Sequence, residues 1–410
     1  MKILMISIDR GLLGKGQLGD VIERHIKYGQ YVYQLDIIVF SNKNYDNYDL
    51  SNDVKSFPTK SKSKLWYCRD AVRIGKELFS KTTYDLIITQ DPFLTGLAGY
   101  FLKKKFKARL LIHFHGDFWS NWRWLVEHPL NFIYWIISKL VVVKNADAIR
   151  VMSQGQKEKL IKAKISEKKI RVISTQINLN IFDKKDFFPE DKVKIVLHVG
   201  RPDPTKDYRT LMKAFRLTKK KFKDVAFIQC GGLDALAGLV GTNSQKLHRW
   251  LLKLVHKSSQ NPNKGEKLKS VLNHYKDVDL GIIDKKLNLE SYDKVTQDVL
   301  VTAYNLANVV ILSSKSESFG KVLVEANACS KPVVSTATTG AKEIVQDGYN
   351  GFLVPIGDAK ALAEKVLELL NNPELAKQMG ENGRKLVQEK FSDNTEKIIN
   401  LWQAICENKI

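Results

Sequence analysis

Cysteine is scarce. The four in this 410-residue chain (Cys68, Cys230, Cys329, Cys406) lie far apart, with no Cys-x-x-Cys pair. That excludes a disulfide framework and a cysteine-rich zinc module, and it fits a reducing compartment. With 10 Pro and 24 Gly the chain is neither collagen-like nor low-complexity. A long hydrophobic run is also missing: the longest, 130–143, is interrupted by Ser138 and Lys139. It falls short of the roughly 20 residues that span a bilayer. Residues 1–8 are basic and then apolar, but too short and without a small-residue cleavage site, so they read as a buried first strand rather than a signal peptide. These absences predict a soluble, cytoplasmic chain. Acidic residues are in deficit as well: 44 Asp+Glu against 66 Lys+Arg leave a formal charge of +22.

What is present is a regular alternation of short β-branched apolar runs with longer amphipathic stretches, the pattern of βαβ units on a parallel sheet. The runs predict strands at 2–8, 35–40, 85–90, 108–115, 147–153 and 170–174. A second series follows at 193–199, 225–230, 278–283, 308–313, 332–336 and 351–354. Runs such as Ile195-Val196-Leu197 are apolar at consecutive positions, as expected where both sheet faces are covered. The rhythm restarts after 176–192, a polar and charged stretch with Pro189. The expected organisation is therefore α/β: two Rossmann-like domains, 1–183 and 190–390, with an insertion at about 233–276. Residues 391–410 read as a terminal helix that can pack back across a cleft between them. In open parallel sheets, ligands sit beyond the carboxyl ends of the strands.

Two segments carry the chemistry. In Glu317-Ser318-Phe319-Gly320-Lys321-Val322-Leu323-Val324-Glu325 a strand hands over to a helix at Gly320, where the backbone can approach a ligand and the helix start offers N–H groups to phosphate. Glu317 precedes this helix and Glu325 lies about one turn inside it, so the two carboxylates can accept from different hydroxyls of one ligand. In Gly200-Arg201-Pro202-Asp203-Pro204-Thr205-Lys206-Asp207 a stiffened turn after a strand carries Arg and Lys five apart, a forked and a point cation for phosphate. Taken singly, the first is also an ordinary helix start and the second a solvated basic turn.

Together and in this order, Gly-Arg-x4-Lys and Glu-x7-Glu resemble the retaining glycosyltransferases of family four. The stretches Glu325-Ala326-Asn327-Ala328-Cys329-Ser330-Lys331-Pro332-Val333-Val334, Gly340-Ala341-Lys342-Glu343-Ile344-Val345 and Asp347-Gly348-Tyr349-Asn350-Gly351-Phe352-Leu353-Val354 are similar to further motifs of that family. The likeness spans essentially the whole chain. It is strong over 195–375 and weaker before 110. It implies a GT-B fold, with two parallel sheets facing a central cleft, the first domain binding acceptor and the second the nucleotide sugar. It further implies that Arg201 and Lys206 hold the donor diphosphate, that Glu325 binds the nucleotide ribose, and that Glu317 and the backbone near Phe319 and Gly320 bind the transferred sugar. His115, at the end of His113-Phe114-His115-Gly116-Asp117, would be the catalytic-site histidine, with Asp117 behind it; a buried core histidine is the alternative. In the glycine-rich 11–20 loop, Gly16 would approach the donor. The implied reaction is a retaining, metal-independent sugar transfer by front-face attack, with the nucleoside-diphosphate sugar as co-substrate and no other cofactor.

Three positions depart from the family pattern: Ser318 and Ser330 replace glycines, and Lys321 replaces an apolar residue. None removes a charged contact, so what they put in doubt is sugar preference. Asp277-Val278-Asp279 mimics a metal-binding pair but reads as solvated carboxylates at a strand start. Trp119, Trp122, Trp124, Phe132, Tyr134 and Trp135, beside Arg123, Lys139 and Lys144, suggest a face that meets an anionic membrane, or else a core or acceptor groove. The expected partners are thus a nucleotide-sugar donor, a glycan or lipid-linked acceptor and an anionic membrane surface, with no nucleic acid. Rival readings are a GT-B phosphorylase, a nucleotide-sugar epimerase, or a basic non-enzymatic membrane- or nucleic-acid-binding protein.

Overall fold

A computed structural model describes residues 1–14, 21–119, 124–125, 129–184, 194–200, 203–231, 280–284, 289–292 and 297–409. Gly16, Trp122, Arg123, Arg201, the 233–276 insertion and Asp277 to Asp279 lie outside the described residues. The chain divides into two units, Met1–Gln176 with Asp393–Ile410, and Ile177–Ser392.

The first unit is built on an eight-stranded sheet of β1 (Lys2–Ser7), β2 (Gln34–Val39), β3 (Tyr48–Ser51), β4 (Val54–Pro58), β5 (Leu86–Thr89), β6 (Arg109–Phe114), β7 (Ala148–Val151) and β8 (Ile170–Val172), in the order β3-β4-β2-β1-β5-β6-β7-β8. Every pairing is parallel except β3 with β4. Ile37, Ile38 and Val39 on β2, and Leu86, Ile87 and Ile88 on β5, are fully buried at consecutive positions, because helices cover both faces. Burying each such side chain stabilises by about 1.5–3 kcal/mol. On one face the C-terminal helix Thr395–Cys406 places Ile398, Ile399, Trp402 and Ile405 against Ile3, Leu35 and Leu86. Trp402 meets Tyr28 edge to face at 5.3 Å.

The aromatic cluster, read from sequence as a membrane-facing surface or else as core or acceptor groove, divides here: Trp119 is 3% exposed and packs with Phe114 and Trp135 in the core of the first unit. The exposed residues of that region are instead Leu130, Phe132, Ile133 and Leu140, on the helix Pro129–Ile137 and the wide turn Ser138–Val142 that follows it. An 18-residue apolar window is not available to any helix among the described residues, so none is long and apolar enough to cross a membrane.

The second unit has a seven-stranded sheet of β9 (Lys194–Val199), β10 (Val225–Cys230), β11 (Leu280–Asp284), β12 (Leu289–Tyr292), β13 (Val309–Leu312), β14 (Val333–Thr336) and β15 (Gly351–Val354), ordered β11-β12-β10-β9-β13-β14-β15. Only β11 runs antiparallel to its neighbour. The helix Tyr208–Lys221 buries Leu211, Met212, Ala214 and Phe215, and Phe215 stacks on Phe227 of β10 at 4.1 Å. The helix Ala359–Asn371 joins the same core through Leu362, Val366 and Leu370. Its start is fixed by Asp358, whose carboxylate accepts from the Lys360 and Ala361 amides at 3.0 Å, a cap worth about 1 kcal/mol. Both sheets are thus doubly wound, with the order reversing beside β1 and beside β9.

Candidate functional site

In the second unit the strand order reverses between β9 and its neighbour β13, where the loops leaving the two strands must diverge to opposite faces. The loops leaving these strands are tied to each other. The Lys315 amide donates to the Thr205 carbonyl at 2.6 Å, and the Ser313 hydroxyl to the Lys206 carbonyl at 2.8 Å. The turn after β9 is itself shaped by Asp203, which accepts from the Thr205 amide at 2.8 Å, and by Asp207, which takes φ +47° and starts the helix Tyr208–Lys221. These ties bring the predicted Lys206 and Glu317 together: the ammonium donates directly to Glu317 Oε1, and Ser314 donates to the same oxygen at 2.7 Å. Their side chains are 20% and 13% exposed, so the pair sits at the rim of the protein rather than sealed inside it.

Beyond Glu317 the chain reaches Gly320 with φ +91°, a conformation that suits glycine, and the helix Lys321–Ala328 begins with no side chain capping it. The Leu323 amide donates to the Gly320 carbonyl at 2.8 Å, and the positive end of the helix dipole lies at this turn. Phe319 is buried edge to face on Phe391 at 5.5 Å, so this residue can address a ligand only through its backbone. The loop is held from below by Gly340, whose amide donates to the Glu317 carbonyl at 2.8 Å. Glu325 is 5% exposed; its Oε2 accepts from the Tyr304 hydroxyl at 2.7 Å, and Lys321 Nζ stands 3.6 Å from Oε1. Burial, reinforced by the Glu325 charge, holds the Tyr304 phenol well above its ordinary pKa, so it remains a donor.

A second polar cluster lies under the β9 turn. His198 on β9 is fully buried, and its Nδ1 hydrogen donates to Gln229 Oε1 on β10. Gln229 Nε2 donates to the Gly200 carbonyl and to the Tyr208 hydroxyl, both at 2.8 Å, and Tyr208 donates to the Gly200 carbonyl at 2.7 Å. Burial pushes the His198 pKa down to about 4; the Gln229 bond opposes this shift and the Lys206 charge adds to it. The imidazole is neutral at physiological pH, so no second cation lies beneath Lys206. Sequence reasoning missed His198, Gln229, Tyr208 and Tyr304. The one visible signal was a lone histidine inside the apolar run Ile195-Val196-Leu197-His198-Val199. The thiols of Cys230 and Cys329 are pushed up to about 12, chiefly by burial, and are inert as nucleophiles.

In the first unit His115 follows β6 and is exposed, while His113 on β6 is buried beside it, ring centroids 5.5 Å apart. Arg150, opposite His113 on β7, is buried and donates to the carbonyls of Ile173 and Ser174 at 2.9 and 3.1 Å. Packing around His115, with the Arg150 and Arg24 charges, lowers its pKa; its open side tempers that effect, and the direction alone makes the ring neutral near pH 7. Asp117, expected behind His115, is held by Lys159 at 2.6 Å. The Gly116 carbonyl accepts from Gln156 Nε2 at 2.9 Å, which fixes the turn carrying His115. Among the described residues, no group of three or more His, Cys, Asp or Glu side chains is arranged to hold a metal ion.

Comparison with known proteins gives this geometry a context. A family model described as Glycosyltransferase Family 4 matches residues 33–181, and one described as Glycosyl transferases group 1 matches residues 283–386. An uncharacterized glycosyltransferase of Methanocaldococcus jannaschii is 29% identical over 96% of this chain and 94% of its own length. A capsular polysaccharide biosynthesis glycosyltransferase, CapM of Staphylococcus aureus, is 29% identical over 67% of this chain and 64% of its own. Among solved structures, sucrose-phosphate synthase from Thermosynechococcus elongatus superposes with a TM-score of 0.71 at 23% identity, covering 100% of this chain and 97% of that one. Anabaena HepE, solved in complex with UDP and glucose, gives 0.67 at 18% identity, with 100% of both chains covered. The two structural matches speak for the fold, and the sequence matches for transferase chemistry.

Proposed function

The chain is an enzyme of the GT-B glycosyltransferases, and from that premise we propose that it moves a sugar from a nucleoside-diphosphate sugar to a hydroxyl acceptor, with retention at the anomeric carbon and without a metal ion. The observation that carries this reading is the meeting of Lys206 and Glu317 in the loops that follow β9 and β13. Lys206, with Arg201 from the same turn and the amides at the start of the helix Lys321–Ala328, neutralises the departing diphosphate. Charge stabilisation prearranged at a leaving group is commonly worth 10²–10³ in rate per contact, by order of magnitude. Glu317, shared between Lys206 and Ser314, accepts from hydroxyls of the transferred sugar, and Glu325 from the ribose. The second unit is proposed to take the sugar donor and the first the acceptor, with catalytic and donor-binding roles proposed for His115 and Gly16.

The acceptor we propose is a lipid-linked or cell-surface glycan precursor, in keeping with a capsular-polysaccharide relative and with the apolar, lysine-flanked face of the first unit, for which we propose an anionic membrane as partner. Lys206→Ala and Arg201→Ala are each expected to cut turnover at least 10²-fold, as an order of magnitude, while the thermal transition stays in place. Product analysis with a panel of labelled nucleotide sugars reads the result. Near-parental turnover in either variant would overturn the donor-site assignment. Transfer to free phosphate would favour a phosphorylase, and a rearranged donor with no acceptor product an epimerase.

A further inference from the structure

We propose that Tyr304 is a positioning residue of the donor site: by donating its hydroxyl to one oxygen of Glu325, it fixes the other oxygen, on the Lys321 side, to accept a ribose hydroxyl of a nucleoside diphosphate. The inference rests on the donor-site reading above and adds to it the residue that sets the carboxylate's orientation.

The argument starts from the cost of the arrangement. A carboxylate withdrawn from water loses several kcal/mol of solvation, as an order of magnitude, and a buried ion pair often does no better than an apolar pair of the same volume. Glu325 is nonetheless placed one turn inside the helix Lys321–Ala328, with only a sliver of its side chain open to solvent. Tyr304 and Lys321 address its two different oxygens. Tyr304 reaches Oε2 at 2.7 Å from the helix Gln297–Leu306, and Lys321 stands 3.6 Å from Oε1. Lys321 is the first residue of this helix and directly follows Gly320, the turn at which the diphosphate is proposed to lie.

Tyr304 is suited to this work. It is fully buried, its ring is bracketed edge to face by Phe182 with centroids 6.1 Å apart, and the next residue, Asn305, anchors its own helix to the Asp183 carbonyl at 3.0 Å. A phenol in such a pocket has one direction in which to donate. Burial and the Glu325 charge hold the phenol well above its ordinary pKa, which keeps the hydroxyl a donor to Oε2 near neutral pH. Lys321 cannot serve in its place, since it approaches at ion-pair rather than hydrogen-bond distance and its side chain is 37% exposed. A carboxylate with one oxygen fixed in this way presents the second in a single orientation.

The test is calorimetric titration of the full-length chain with UDP, ADP and GDP and with their 2′,3′-dideoxy counterparts. The parent is expected to bind at least one ribonucleotide roughly tenfold or more tighter than its dideoxy form, the scale of one hydrogen bond to a charged group. Tyr304→Phe, which keeps the ring, is expected to remove most of that preference while leaving the dideoxy affinity unchanged. On a Glu325→Gln background, Tyr304→Phe is expected to add no further loss. Equal weakening of the ribo and dideoxy forms, the result of a purely structural role, would overturn the proposal, as would an undiminished preference. If Tyr304→Phe fails to fold, the cycle is run with Tyr304→Trp and Tyr304→Leu on both backgrounds: loss of ribose preference in both supports the proposal, and retention in either refutes it. A parent that binds none of the diphosphates, or a Glu325→Gln variant with full ribose preference, would instead bring down the donor-site reading itself.

Discussion

Ser330 shows how a single residue can be read from sequence and still hold a cost that only the structure displays. In the sequence it stands where the resembling family ends a helix with glycine. In the structure it does take the left-handed conformation, φ +55°, after the helix Lys321–Ala328, and its hydroxyl is buried without a hydrogen-bond partner. A non-glycine residue there pays a steric penalty, and an unsatisfied hydroxyl adds to it. Ser330→Gly is therefore expected to raise unfolding free energy by about 0.5–1 kcal/mol. Urea denaturation reads this as a higher midpoint at unchanged slope, and a lower midpoint would refute it. His198 and Tyr304 were not legible in the same way. Nothing in a linear sequence says that a histidine on β9 meets a glutamine on β10, or that a tyrosine 21 positions upstream of Glu325 reaches its carboxylate.

At the scale of elements, the fold class was legible because central strands buried on both faces are written as uninterrupted apolar runs. β3, β4 and β12 were not read at all. β3 is a short polar edge strand, Tyr48-Asp49-Leu50-Ser51, and β4 alternates buried and exposed residues before ending in Pro58. β12, Leu289-Glu290-Ser291-Tyr292, has two polar residues at its centre and no apolar run. Such strands owe their pairing to neighbours rather than to their own composition. The site loop shows the same division. Gly340 belongs to a recognisable motif, but its reason is a close approach: a Cβ there would lie 2.4–2.6 Å from Phe319 backbone atoms, which no side-chain rotation can relieve. Gly340→Ala must push the loop that carries Glu317, at an overpacking cost of about 1–3 kcal/mol. A displacement near 1 Å is enough to cost on the order of 10²-fold in rate. The expected outcome is a folded variant, with its transition modestly lowered and turnover reduced tenfold or more, about half that effect on a logarithmic scale. Turnover equal to the parent's would mean that this loop does not position the reacting groups.

For the whole molecule, a charge of +22 by itself says only that the protein is drawn to anionic surfaces; the distribution decides which. In the first unit, the helix Leu94–Phe106 packs against the turn Ser138–Val142, with Gly96 fitted closely beneath Val142. On these two elements, the helix Pro129–Ile137 and the adjoining turns, Phe101, Leu130, Phe132, Ile133 and Leu140 are exposed, as are Lys104, Lys105, Lys107, Lys139 and Lys144. Lys139 lies over the Trp135 ring at 4.9 Å, its stem covering apolar surface and its charge outward. A solvated basic face would not carry five large apolar side chains, and a protein-docking core would not be ringed by so many lysines. Both are features of a surface that inserts shallowly among acidic headgroups. In flotation with the full chain, association is expected with phosphatidylglycerol-containing vesicles and not with pure phosphatidylcholine, and it should weaken at about 0.5 M salt, where screening cuts the attraction of the lysines. Ile133→Asp with Leu140→Asp should reduce the bound fraction about tenfold or more, since each lost insertion is worth about 1.5–3 kcal/mol. Equal recovery with neutral vesicles, or a double variant that floats like the parent, would show that this face does not meet a bilayer, and the acceptor would then have to be sought among water-soluble hydroxyl compounds.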